Sequence, residues 1–332
     1  MKKTNKFFFA MLFAGSFALL LSSCEKDKAV KSLSFDVPTF EEEIDGKAYI
    51  DFNDGNKFKW QAGDQVVVYN LDNANGMNSQ KAIYSTTANG TTRAVFNYSS
   101  GDDMSTKLDG YFVFYPVSKV STDGWPNANN YQYFNVEATQ TYTLVNGKST
   151  VDPNSMALAS DLSSLNGTLT MKPIFGNLRL KLKGTGKVNK IVVQDDRFNL
   201  SGRVGMRLHN VSMEKFTAAQ NYYIAVDDPY NNPTFVNFWS EYSGSGPEGL
   251  NYITEGAGKT MTLKCPDVQL NESTESHFFI GLRPGALKYG FKVFIYVSGN
   301  ATPYEFDYTG SNNLHYGIKA GVNKGLSLSG IN

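Results

Sequence analysis

The chain has 332 residues with 31 basic and 31 acidic side chains, so its formal net charge is zero. That balance excludes the broad electrostatic attraction by which proteins hold nucleic acid. Aromatic residues make up 14% of the chain and glycines number 30, a composition that favours strands joined by turns; the length suggests about two domains.

The first predicted element is a leader. Met1-Lys2-Lys3-Thr4-Asn5-Lys6 is positively charged, and Phe7 to Leu21 carries no charge. An apolar run of about fifteen residues falls short of the roughly 20 that a bilayer-spanning helix needs, so residues 1–23 read as a signal peptide. The run ends Leu21-Ser22-Ser23-Cys24, which resembles the lipobox of bacterial lipoproteins. That resemblance implies cleavage before Cys24, acylation of its thiol and of the new amino group, and a membrane anchor in which each buried methylene contributes ~0.8 kcal/mol. Residues 24–29 follow as a solvated tether. Their acidic members resemble the short signals that send some lipoproteins to the outer face of the outer membrane. With Cys24 acylated, Cys265 has no disulfide partner. Thr262-Leu263-Lys264-Cys265 reads as part of a strand, because a single lysine does not make a reactive thiol environment.

Strands are predicted from there on. Gln65-Val66-Val67-Val68-Tyr69 is a nearly continuous apolar run between Gly63-Asp64 and Asn70. Ala94 to Tyr98 follows an Asn89-Gly90 turn, and Gly110 to Tyr115 ends at Pro116, which cannot donate to a ladder. Met156 to Leu165 could make two helical turns or more, with Asp152-Pro153 as a start. Asn177-Leu178-Arg179-Leu180-Lys181-Leu182-Lys183 alternates throughout, the pattern of a strand with one buried face. Val188 to Val193, Tyr222 to Val226, Phe278 to Leu282, Phe291 to Val297 and Tyr304 to Tyr308 complete the series. Many short strands separated by Asn/Gly turns predict antiparallel sandwiches. A loose Asn-, Ser- and Asp-rich stretch from Thr122 to Ser164 precedes the strong alternation. The expected division is therefore an N-terminal domain over 30–165 and a C-terminal domain over 166–332.

Phe58-Lys59-Trp60-Gln61-Ala62-Gly63-Asp64-Gln65-Val66-Val67-Val68-Tyr69 resembles the W-x-x-G-D-x-I-x-V segment of fimbrillin-like lipoproteins, which include the type V pilins. Gly110 to Pro116 is similar to their Y-x-A-x-Y-P strand, and Leu169 to Leu180 to the strand pair that opens their second domain. Ile318 to Leu328, with Ala320-Gly321 before a short apolar strand, resembles their close, although Gly325 stands where an aromatic is usual. The resemblance spans most of the chain. It implies an all-β fold of two transthyretin-like antiparallel β-sandwich domains. It also implies a pilus subunit working in adhesion at the outer membrane, with other pilin subunits and a host protein or glycan as partners. In polymerising members a protease, usually cutting after arginine, removes the first strand, and a strand from the next subunit fills the groove by β-strand addition. Here no arginine lies between Cys24 and Arg93. The expectation is an anchor, accessory or tip subunit rather than a repeating shaft unit.

No catalytic signature is present: there is neither a G-x-S-x-G elbow nor a phosphate-binding loop, and no enzyme activity or cofactor is expected. His209, His277 and His315 lie far apart and match no metal spacing. Asp51, Asn53, Asp54 and Asn56 around Gly55 could ligate calcium, but Ala62 stands where a twelfth-position Glu would be needed, and an Asn/Asp turn is the simpler reading. Asp195-Asp196 and Asp227-Asp228 are adjacent, hence on opposite faces if extended, and read as turns. Two segments rich in aromatics and amides, Gly124 to Tyr133 and Phe238 to Tyr252, could stack on sugars or simply pack onto a domain. They sustain an alternative function, a glycan-binding surface lipoprotein for nutrient capture. At the end of the chain, Val322, Leu326 and Leu328 share a strand face, interrupted by Lys324. That face is either the inner side of the last strand of the second sandwich or a donor-strand face offered to another subunit.

Overall fold

A computed structural model describes residues 30–36, 41–43, 59–72, 80–119, 131–145, 147–162, 164–196, 199–207, 250–253, 258–283, 286–287, 290–309, 318 and 321–332. The described strands begin with β1 (Ser32–Asp36), β2 (Glu41–Glu43), β3 (Gln65–Leu71), β4 (Gln80–Thr86), β5 (Arg93–Gly101), β6 (Gly110–Tyr115), β7 (Tyr131–Val136) and β8 (Thr139–Thr141). They continue with β9 (Thr143–Val145), β10 (Lys148–Thr150), β11 (Leu158–Leu162), β12 (Thr168–Thr170), β13 (Lys172–Pro173), β14 (Gly176–Gly184) and β15 (Lys187–Asp195). The last are β16 (Gly202–Arg207), β17 (Leu250–Ile253), β18 (Thr260–Gln269), β19 (Ser276–Leu282), β20 (Phe291–Val297), β21 (Tyr304–Asp307) and β22 (Val322–Ile331). Among the described residues the chain is nearly all β, as its composition predicts, with single 3-10 turns at Val117–Lys119 and Pro153–Ser155.

Eight strands form one sheet in the order β12-β1-β5-β4-β3-β6-β11-β13. Its two ends are made by one continuous segment. β12 runs parallel to β1, and two residues later β13 pairs antiparallel with β11. The sheet therefore curls back on itself, and the Ser160 hydroxyl donates to the Thr170 carbonyl at 2.9 Å across the seam. Phe35, Trp60, Tyr84, Phe96 and Tyr115 fill the inside, an aromatic core joined by Leu33, Leu169 and Met171. β3 and β6 are buried on their other face too, where Val67, Tyr69, Phe112 and Phe114 meet Ile174 and Phe175. Burial on both faces is the physical reason those two strands read as continuous apolar runs.

A second sandwich has a four-stranded sheet, β19-β14-β22-β2, against a five-stranded one, β21-β20-β15-β18-β8. Its core is aliphatic: Leu178, Leu180 and Leu182 of β14 face Val188, Ile191 and Val193 of β15, with Val293 and Ile295 of β20. Val136 packs against both this core and the one beneath β3 and β6. The sheets exchange segments across the predicted boundary. β12 and β13 lie beyond residue 165 yet complete the first sheet, while β2 and β8 precede it and join the second pair. Sandwich partners are chosen by which edge a segment reaches, so sequence position alone does not assign a strand to a body.

The expected helix over Met156 to Leu165 is corrected. The chain there is one 3-10 turn followed by strand β11. The Asp152 carboxylate accepts from the backbone N–H of Asn154 at 2.9 Å and of Thr141 at 2.8 Å, which fixes a single turn. Leu158 and Ala159 are then buried on opposite faces between β6 and β13. An apolar run buried on both sides cannot be told from a short buried helix by periodicity. β1 and β4 are not among the predicted strands, although Ser32-Leu33-Ser34-Phe35 alternates polar and apolar residues; in β4 only the burial alternates, at Ala82, Ile83 and Tyr84. Tyr222 to Val226 lies outside the described residues.

Candidate functional site

The first core is built around a corner. Gly63, at φ +92°, turns the chain into β3 in a conformation that favours glycine. The Asp64 carboxylate accepts the Gln61 N–H at 2.7 Å and the Tyr115 hydroxyl at 3.0 Å. Burial raises the Asp64 carboxyl above its usual value, against these two hydrogen bonds, and also pushes up the Tyr115 phenol. Trp60 meets Phe96 and Tyr115 edge to face, at ring separations of 4.9 and 5.2 Å. Two segments about fifty residues apart, Trp60 to Asp64 and Gly110 to Pro116, thus form one packed unit. The Tyr115-Pro116 peptide within it is cis.

That corner seats β1. The indole N–H of Trp60 donates to the Phe35 carbonyl at 3.3 Å, and the Tyr84 hydroxyl to the Val30 carbonyl at 3.1 Å. β1 lies between β5, antiparallel, and β12, parallel. Leu33 and Phe35 enter the core, Phe35 edge to face on Phe96 at 5.4 Å. Arg93 of β5 faces Asp36 of β1 in register and holds its carboxylate through two bonds of 2.8 Å. The guanidinium keeps the Asp36 carboxyl below its ordinary range. The first arginine after Cys24 therefore belongs to the sheet that holds β1. A cut after it would sever β5 and would not release β1 alone. Without β1, the exposed trough would have backbone groups of β5 and β12 along its sides and Trp60, Phe96 and Leu169 at its floor.

The C-terminal candidates sit differently. β22 lies inside the four-stranded sheet, parallel to both β14 and β2. Leu326 and Leu328 are buried in the aliphatic core opposite Leu180 and Leu182, and Val322 is half-buried. Lys324 is buried as well, at 9% exposure. After a shift in register Ile331 re-enters the core, and its carbonyl passes so close to Gly184 that a Cβ there would lie 1.7 Å away. Asn332 is pinned: its N–H donates to the Tyr304 hydroxyl at 3.0 Å, and its carbonyl accepts from Tyr304 and from the Asn300 amide.

At the free edge of β19 the Gln140 side chain imitates a neighbouring strand. Its amide nitrogen donates to the Gly281 carbonyl at 2.7 Å and its oxygen accepts the Gly281 N–H at 2.8 Å. On the outer side of β14 the buried Arg179 donates to Nδ1 of His277 at 2.8 Å. Burial, then the Arg179 charge, holds the His277 imidazole below its ordinary pKa. Cys265 is half-buried, and burial pushes its thiol up to about 12. Asp195 ends β15 buried and accepts the Leu287 N–H at 2.7 Å, while Asp196 follows at the turn. Among the described residues no three His, Cys, Asp or Glu side chains gather as a metal site, and no helix is long and apolar enough to cross a membrane. Cys24, His209, His315, Asp227-Asp228, the Asp51 to Asn56 loop and most of both aromatic segments lie outside the described residues.

No protein-family model and no curated protein sequence matches the chain. Its neighbours among solved structures include provisionally named cell adhesion proteins and a fimbrial protein, from Bacteroides and Parabacteroides. One is a provisionally named cell adhesion protein of Bacteroides ovatus, at 11% identity and TM-score 0.47, covering 90% of this chain and 92% of that one. A second is a provisionally named cell adhesion protein of Bacteroides uniformis, at 12% identity and TM-score 0.45, covering 90% and 93%. A third is a fimbrial protein of Bacteroides ovatus, at 9% identity and TM-score 0.35, covering 90% of this chain and 48% of that one.

Proposed function

We propose that this chain is a fimbrillin-like cell-surface lipoprotein of the outer membrane, lipidated at Cys24, that serves adhesion as a non-enzymatic pilus subunit. It assembles with other pilin subunits by β-strand addition, at an anchor, accessory or tip position. The observation that carries this reading is β1. Five residues from the start of the described chain complete the interior of an aromatic-cored sheet, between two strands that could pair with any suitable extended segment. β-Strand addition needs a strand that can be replaced: backbone bonds supply affinity, and alternate side chains, here the places of Leu33 and Phe35, supply specificity. The anchor position is supported by Arg93, which lies within β5, so trimming after arginine does not create the trough.

The test is strand exchange. A protease site inserted between Asp36 and Glu41 in the full chain is cut, and a labelled peptide of sequence Lys31 to Asp36 is added. Uptake of that peptide, and not of one carrying Phe35→Asp, is the expected result. A cut chain that keeps its own β1 indefinitely and takes up neither peptide would overturn the assembly reading.

A further inference from the structure

The five-stranded sheet of the second body turns one face to its core and the other outward. Ile191, Leu263 and Ile295 are buried in that core. Their neighbours along each strand, Lys190, Lys264 and Tyr296, therefore point away from it. Register sets an outward rung across four strands: Tyr296 of β20, Lys190 of β15, Lys264 of β18 and Thr141 of β8. The next rung is Phe294, Val192, Thr262 and Thr139. Lys264 and Thr141 are exposed, while Lys190, Thr262, Phe294 and Val192 are half-buried.

Charge is spread unevenly over this face. Its carboxylates at the β21 edge, Glu305 and Asp307, both hold Lys292, at 2.7 and 2.8 Å. Lys190 and Lys264 stand on the other side, directly opposed on antiparallel strands. Cβ atoms so placed are about 5 Å apart, and like charges there destabilise a sheet. Neither lysine enters an ion pair among the described residues. The Lys190 ammonium rests over the Tyr296 ring, 3.7 Å from its centroid, a cation–π contact that leaves Lys264 unanswered. Just beyond this rung β18 bulges, with Cys265, Pro266 and Asp267 facing Asn189 alone. The Asp267 carboxylate is taken up there by the Ser298 hydroxyl.

Two ammonium groups on flexible stems can converge on one anion, and the hydroxyls of Thr141 and Thr262, both beside Lys264 on the face, add rotatable donors. Such point charges and hydroxyls suit the several oxygens of a tetrahedral oxyanion. A planar carboxylate is better matched by an arginine fork, and none of the five strands contains arginine. Phe294 and Val192 in the adjoining rung offer a part-exposed apolar surface on which a sugar ring can lie. Two lysines fall short of the roughly four to eight basic residues of a lipid-binding segment. We infer that the Lys190–Lys264 rung binds the sulfate or phosphate ester group of an acidic polysaccharide, with the sugar over Phe294 and Val192. The site does not depend on strand exchange, and either can fail while the other stands.

Full-length chain in detergent is assayed on immobilised dextran sulfate, dextran phosphate, dextran and polygalacturonate, and on a poly-glutamate peptide. Retention on dextran sulfate or dextran phosphate is expected, the stronger of the two identifying the ester, with little on the other three. The double variant Lys190→Gln/Lys264→Gln should lose about tenfold or more in affinity, since hydrogen bonds between charged groups are the strong ones. Lys81→Gln/Lys172→Gln, which removes the same charge from the first body, should bind as the natural chain does. Lys264→Gln alone should melt no lower than the natural chain, because it relieves a repulsion. The inference is overturned if neither ester is retained, or if dextran, polygalacturonate or poly-glutamate is held equally well. It also fails if the Lys190/Lys264 variant, shown to be folded by circular dichroism, binds unchanged, or if both double variants lose affinity alike. A lower melting temperature for Lys264→Gln with unchanged binding would mark a structural lysine and overturn it too.

Discussion

β1 and β22 each complete a sheet, but they are held by very different means. β1 has five residues, places two side chains in its core and is closed at one end by an exposed ion pair. β22 has ten residues, buries Leu326, Leu328 and Ile331, and ends on Asn332, tied to Tyr304 and Asn300. Each fully buried large apolar side chain contributes roughly 1.5–3 kcal/mol. The longer strand also has more ladder bonds, so it is the harder one to lift out. The contrast teaches which strand is the easier to displace: β1, in the first body. It also gives the C-terminal face of Val322, Leu326 and Leu328 a large internal role that a donor strand would first have to surrender.

The comparison breaks most visibly in the cores. Phe35→Ala should cost about 3–5 kcal/mol and make β1 the first strand to exchange its amide hydrogens. Leu328→Ala should cost about 2–5 kcal/mol and still leave β22 the better protected, as measured by hydrogen exchange with mass spectrometry. Earlier opening of β22 than of β1 in the unmodified chain would reverse the argument.

Gln140→Ala sharpens it from the side of the second body. It removes the partners of both the Gly281 N–H and the Gly281 carbonyl at the edge of β19, at roughly 1–3 kcal/mol for each orphaned backbone group. Denaturant unfolding should register this loss with the first core unaffected. An effect near zero would mean that the edge does not need its side-chain cap.

Arg93→Ala should change global stability little, because the pair is exposed, yet it should speed uptake of the β1 peptide. Asp36 is held below its ordinary carboxylate range in the folded chain. Its contribution is therefore present above that range and lost as pH falls through the lowered value. Peptide uptake by the natural chain should quicken in that acid window, and uptake by the Arg93 variant should change less. The smallest effect concerns His277, whose folded pKa lies below 6.5. The folded state resists the proton, so stability is full above about 6.5 and declines as pH falls toward the lowered value. Melting curves of His277→Gln should be flatter across that window.

The sequence by itself determined the class of architecture. Alternation at Leu178, Leu180 and Leu182 places β14 on an inner face wherever it pairs, because a period of two is a property of the extended chain. Gly63-Asp64 and Trp60 likewise announce a tight turn beside a large apolar side chain. The tertiary structure decided the partners. That the Tyr115 hydroxyl reaches Asp64, and that residues 168–173 finish a sheet begun more than a hundred residues earlier, depends on which edges are left open once the cores have packed. The predicted helix over 156–165 failed for the same reason, since burial on both faces erases the period that would have marked it as a strand. The sheet that joins β7, β16 and β17 is not legible in the sequence at all, because it exists only where cross-strand register sets three short pieces side by side.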